Sequence, residues 1–274
     1  MNATLKDVAL STQASRPSSI GEAEWQTRVD LAACYRLVDH FGWTDLIYNH
    51  ISARVPGEHE HFLINPFGML YEEITASSLI KVDIDGNVIS NGSSEHAETY
   101  TVNRAGYVIH SAIHKARPDV QCVLHTHTVA GMGVSSLKCG LLPLSLAGLR
   151  FSDIGYHDLE GIVTDLGEQE RLASNLGDRE ALILRNHGLL VVGSTIAQAF
   201  GRIDRLERAC QTQLAAMACN TDLNFPTADV VARTRSQLKR SPTPDAQGRI
   251  VEHGAREWPA LLRLLDRRDP SYRH

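Results

Sequence analysis

Two short apolar runs constrain this chain more than anything else in it. VQCVLH (120–125) and ALILRN (181–186) are bounded by turn-forming residues and are too short for a typical helix, so each reads as a buried strand. Each also runs into histidine. VLHTHT carries the first past His125 and His127, and the second is followed by His187-Gly188.

Other segments fill in the frame. Trp25, Val29, Ala32, Ala33, Arg36 and Leu37 recur at helical spacing, and Gly42 ends that helix. LIYNHISARV (46–55) predicts a strand, Pro56-Gly57 a turn, and HFLIN a second strand. LIKVDIDGNVISN (79–91) carries a hairpin signal at Asp85-Gly86. A helix is predicted over 104–117, closed by Pro118. Residues 128–138 read as helical, weakened by Gly131 and Gly133, and an irregular or strand-like stretch follows to about 165. A short helix over 168–177 and a long one from Thr195 to 219 complete the core pattern. The expected organisation is one α/β domain over 21–219, with a flexible N-terminal arm at 1–20. A C-terminal extension at 220–274 is expected to pack on the domain or on a neighbouring subunit.

Composition narrows the classes of function. A net charge of -5 offers no nucleic-acid footprint, and no segment nears the roughly 20 apolar residues that span a bilayer. The five cysteines are scattered without C-x-x-C spacing and read as reduced packing residues of a cytoplasmic protein. The N-terminal residues lack the apolar core of a secretory signal.

The histidines carry the chemistry. His125 and His127, two apart on an extended backbone, face the same way with Cβ atoms about 6.5–7 Å apart. Two imidazoles so placed can converge on one metal ion, or simply pack. If the strand before His187 lies beside theirs, three imidazoles meet at one sheet end. Three protein ligands with an open position is a catalytic pattern rather than a closed structural one.

VLHTHTVAGMGVS and LILRNHGLLVVG resemble the two metal-binding segments of the class II aldolase/adducin superfamily. The resemblance runs from about Trp25 to about Met217 and takes in YNHISARVPG, LINPFGMLYEEITASSLIKVDIDGNV, IHSAIHKARPDVQCVLHTHT and KCGLLPLS. KCGLLPLS and LRNHG lean toward its adducin-like branch. It implies a three-layer α/β/α fold with a mostly antiparallel central sheet, and a homo-oligomer, expected to be a tetramer, with sites near subunit contacts. It also implies that His125, His127 and His187 hold a divalent metal. Zinc is the expected ion, with manganese, iron and cobalt also accepted by imidazole.

One family feature is missing. Aldolases and decarboxylases of this kind carry an acidic residue in an S-S-E segment shortly before the first metal histidine. Ser93-Ser94-Glu95 has that composition but lies 30 residues before His125. It is read as a loop coincidence, the alternative being an insertion that returns Glu95 or Glu98 to the metal. Counting back along the helix from IHKARPDV puts Gly106 in the acidic position, with Arg104 and Ala105 where phosphate-binding serines would stand. His110, spaced i, i+4 from His114, and Tyr156, beside His157, are the candidates to replace the acid. Arg104 could hold a substrate carboxylate. Asn49, Ser52 and Gly68 match substrate-cradling segments, and could equally be a strand and a turn.

The function expected is a metal-dependent lyase, aldolase- or decarboxylase-like, acting on a small hydroxy- or keto-carbonyl compound, preferably a carboxylate. The metal would stabilise an enediolate. The rivals are a non-heme iron oxygenase on the same scaffold and a non-catalytic, adducin-like structural protein. The ending LLDRRDPSYRH is short and mixed in charge, unlike a basic membrane-skeleton tail.

Overall fold

The computed structural model describes residues 16–91, 101–161, 166–239, 254 and 256–274. Most of the predicted N-terminal arm, and Ser93, Ser94, Glu95 and Glu98, lie outside the described residues. An eight-stranded sheet runs in the order β4-β3-β2-β1-β5-β8-β7-β6. Its strands are β1 (His50–Arg54), β2 (His61–Ile64), β3 (Ile80–Asp83), β4 (Val88–Ser90), β5 (Cys122–Thr126), β6 (Gly155–His157), β7 (Ala181–Leu184) and β8 (Gly188–Gly193). Every neighbouring pair is antiparallel except β6 with β7. The mostly antiparallel α/β/α fold is therefore present.

Alternation along the strands sorts the core into two layers. Cys122 and Leu124 of β5, Ile183 of β7 and Val191 of β8 face the larger cluster, with α1 (Glu22–His40) and α6 (Ile196–Ala218). Val123, Leu182, Leu184, Leu190 and Val192 face α2 (Arg104–Ala116) and α5 (Leu166–Leu176). His50, Ser52, Val123 and His125 stand on the α2/α5 face by register.

Two expectations need correction. The first strand begins at His50, not 46, because residues 43–49 form a loop. There Leu46 has φ 48°, and the Asn49 Oδ1 accepts from the Asp45 amide at 3.0 Å. The stretch read as irregular or strand-like holds β6 but also a helix, α4 (Leu146–Arg150), capped by Ser145. The C-terminal extension, expected to pack on the domain or on a neighbouring subunit, contains α7 (Ala228–Lys239) and α8 (Trp258–Arg268). The apolar residues of α8 cover the chain's own α1. Trp258, Leu265 and Tyr272 are buried, Trp258 Nε1 donates to Asp30 at 3.1 Å, and the Ala76 amide donates to the Tyr272 carbonyl at 3.0 Å.

The glycines that weaken a helical reading of 128–138 have a packing reason. In α3 (Val129–Ser135), a Cβ at Gly131 would lie 2.7 Å from Leu189, and one at Gly133 would lie 2.9 Å from Leu214. Glycine at 131 lets this helix settle against β8.

Candidate metal centre

His125 is the fourth residue of β5, and His127 follows one residue past its end on the same face. His187 comes from the turn between β7 and β8, where Asn186 takes a left-handed conformation, φ 56°. Asparagine tolerates that region better than most residues. Strand β8 pairs with both β5 and β7, which brings the turn beside His127. A Cβ at Gly188 would lie 2.4 Å from the Thr126 carbonyl oxygen, so glycine there lets the two strand ends approach.

The three imidazoles present the same atom. His125 and His127 Nε2 are 2.8 Å apart, and His127 and His187 Nε2 are 2.9 Å apart. Ligand atoms from all three lie within 4.8 Å of one another, the only such group among the described residues. The other nitrogens are tied off where the chain supplies an acceptor. His125 Nδ1 donates to the Leu189 carbonyl at 2.8 Å, and His127 Nδ1 donates to Asp45 Oδ2 at 2.9 Å. These bonds put the ring protons on Nδ1 and leave lone pairs on Nε2. Lone pairs facing each other at such distances fit a cation between them, so the donor set suits a divalent metal.

Electrostatics agree with that state. Burial, and then the neighbouring His127, His187 and His50, hold His125 well below the usual imidazole range. His187 is lowered to about 4, by burial first and then by His127 and His157. Neutral imidazole is the form that binds metal. The cluster is reachable from one side: His125 is fully buried, whereas His127 and His187 are partly exposed. They line a cavity of about 390 Å³ with Asp45, Tyr48, His50, Asn103, Ile109 and Asn186 among its walls.

The other predicted residues are dispersed around this centre. Ser52 is buried, its Oγ 2.5 Å from His110 Nδ1 and 2.8 Å from His114 Nε2. His110 is fully buried and set back from the cavity behind His50, whose ring it meets edge-on at 5.7 Å. Asn49 holds the loop that carries Asp45. Gly68, φ 114°, lies in the turn beside Phe67, whose ring meets that of Tyr48 at 6.3 Å. Tyr156 is on the far face of the sheet. It pairs with Ile183, its hydroxyl accepts from the Leu141 amide at 3.0 Å, and Arg185 covers its ring at 4.2 Å. Strand parity sends Tyr156 away and leaves His157, bonded to Asn175, on the histidine side. Arg104 is exposed and lines a separate cavity of about 730 Å³ with Tyr107, Lys115 and Glu170.

Two residues at the centre were missed in the sequence. His50 carried a usable signal, since it stands two before Ser52 on one strand face. Asp45 carried none: it lies in a loop, 82 residues from the histidine it orients.

The model of the class II aldolase and adducin N-terminal domain matches residues 29–214. A Pseudomonas aeruginosa protein assigned to aldolase class 2 is 48% identical over 96% of this chain and 98% of its own. Mouse alpha-adducin is 44% identical over 87% of this chain, but only 33% of its own length is covered. Among solved structures, an aldolase II superfamily protein from Pseudomonas syringae superposes with a TM-score of 0.85, at 48% identity over 93% of this chain and 98% of its own. An L-fuculose 1-phosphate aldolase from Glaciozyma antarctica gives 0.75, at 29% identity over 94% and 97%.

Proposed function

The chain belongs to the class II aldolase and adducin N-terminal domain family, and on that premise we propose that it is a metal-dependent carbon–carbon lyase acting on a small hydroxy- or keto-carbonyl compound. The observation that carries this reading is the convergence of three Nε2 atoms, those of His127 and His187 at the wall of a cavity and that of His125 behind them. A divalent ion held there, for which we propose zinc, supplies Lewis acidity toward a carbonyl oxygen.

The chain's own residues do the rest. The Leu189 carbonyl and Asp45 fix two ring orientations before any ion arrives, which lowers the cost of assembling the site. Burial of His125 keeps water from one side. Asp45 is the only carboxylate among the described cavity residues, and it is engaged with His127. None of those residues is Arg or Lys, so a substrate carboxylate would be met at the ion and not by Arg104. That arrangement suits a hydroxy or keto acid better than a sugar phosphate. All five cysteines are free thiols, in keeping with a reducing, cytoplasmic setting.

The test is elemental analysis of protein purified without chelator, followed by a cleavage screen of hydroxy and keto acids with L-fuculose 1-phosphate included. The expected result is about one divalent ion per chain, falling below about a tenth in His125→Ala and His187→Ala, with cleavage lost alongside it. Metal content equal to wild type in both variants would sink the assignment. A metal-loaded protein that cleaves nothing in the screen would favour the structural, adducin-like reading.

A further inference from the structure

His50 opens β1 directly opposite His125, and the two rings stack with centroids 5.9 Å apart and planes 22° apart. The side chain is 4% exposed, yet it lines the cavity with His127 and His187. The amide nitrogen of Asn103, another cavity residue, lies 3.1 Å from His50 Nε2. An amide nitrogen can only donate, which puts the proton of a neutral ring on Nδ1. That Nδ1 is buried without a partner. Nδ1 has no surface on the cavity, so Nε2 is the nitrogen that could meet a molecule in it.

The ring is also given room at a cost. Gly106 sits in the first turn of α2, where glycine is a poorer helix former than alanine. A Cβ there would lie 2.4 Å from His50 Cδ2 and 2.6 Å from Cγ and Nε2, closer than real Cβ contacts come. A side chain at 106 and the imidazole of His50 therefore exclude one another.

We propose that His50 is a substrate-contacting residue: the fourth imidazole of the cavity, seated by Gly106, whose Nε2 exchanges the Asn103 amide for a hydroxyl of the compound held at the three metal histidines, the freed amide donating to the same hydroxyl. This rests on the metal-dependent reading above. The ligand class is a small carbonyl compound with one hydroxyl beyond the pair of oxygens that meets the ion.

Cobalt(II) reports on the three histidines by its visible spectrum. Hydroxypyruvate and pyruvate, which differ by one hydroxyl, probe the cavity of the cobalt-loaded protein. His50→Phe keeps an aromatic ring against Gly106 and His125 but removes both nitrogens. The expected result is unchanged cobalt affinity, a preference of wild type for hydroxypyruvate, and loss of that preference in His50→Phe by about tenfold, the worth of a good neutral hydrogen bond. Gly106→Ala should lose it too, because the methyl group displaces the ring, and should melt below wild type although alanine is the better helix former. Wild type taking no cobalt would overturn the metal reading itself. With cobalt bound, three results overturn the role of His50: equal preference in His50→Phe, no binding of either probe by wild type, or loss of cobalt in His50→Phe. A Gly106→Ala protein that is more stable than wild type and keeps the preference would do the same.

Discussion

At the scale of single residues, a metal ligand is made by what its other nitrogen touches. His127 is aimed by Asp45, a carboxylate with its side chain 46% exposed, so the bond is accessible to mutation without emptying the core. Asp45→Asn keeps the shape and weakens the acceptor. Metal affinity is expected to fall about 10- to 100-fold, measured by competition with a chromophoric chelator, with the fold intact by circular dichroism. Unchanged affinity would mean that Asp45 is a bystander. His110 and His114 behave differently, since both are interior and share the Ser52 hydroxyl. Each is lowered to about 3, chiefly by burial, from an ordinary value of 6.5. In the folded chain they stay neutral while the unfolded chain takes up protons below about 6.5. Stability should therefore be full above pH 6.5 and fall as pH drops toward 3, by roughly 1.4 kcal/mol per unit and per group. Urea midpoints at pH 7.5 and pH 5 test this. The difference should shrink in His114→Gln, and identical midpoints in wild type would refute it.

At the scale of elements, the centre depends on how α3 starts. Thr128 follows His127 directly and caps the helix, accepting from the Gly131 amide at 3.1 Å. The same hydroxyl donates to the buried Glu207 of α6 at 2.5 Å. One side chain thus ties the metal loop to the longest helix. Thr128→Val keeps the volume and removes both bonds, leaving a helix amide and a buried carboxylate without their partner. A loss of about 1–3 kcal/mol is expected in chemical denaturation, with weakened metal retention. A variant as stable as wild type would show that water replaces the hydroxyl. Glycine at 131 belongs to the same device: it lowers the helical tendency of the segment and sets the helix close to β8.

At the scale of the whole molecule, the sheet order puts β1, β5 and β8 side by side at its centre, and all four imidazoles come from these strands or their ends. Leu46 (68%) and Val129 (83%), close in sequence to Asp45 and His127, are large apolar side chains left open. We propose a homotetramer in which such residues are covered. Light scattering at micromolar concentration should give a mass near four chains, and a monomer would refute it. The tail need not reach a neighbour for this, because α8 already lies on α1. Leu265→Ala should cost about 2–4 kcal/mol as a cavity beneath that helix, read from the shift in thermal midpoint.

What the sequence determined by itself was whatever depends on spacing along the chain. The buried runs at 120–125 and 181–186 became β5 and β7, and the hairpin at Asp85-Gly86 became β3 and β4. The H-x-H pair became two imidazoles on one face, since alternation on a strand needs no partner to be legible. Gly106, reached by counting along α2, does face the histidine side, against His50. Tertiary structure decided what depends on which faces meet. Nothing local says that His50 stands opposite His125, that Asp45 reaches back to His127, or that His110 turns inward to Ser52 and leaves the cavity to His50. Strand parity puts Tyr156 on the opposite face of the sheet, and Arg104 lies at the exposed start of its helix. Local periodicity fixes the direction of a side chain relative to its own element; only packing fixes what lies in that direction.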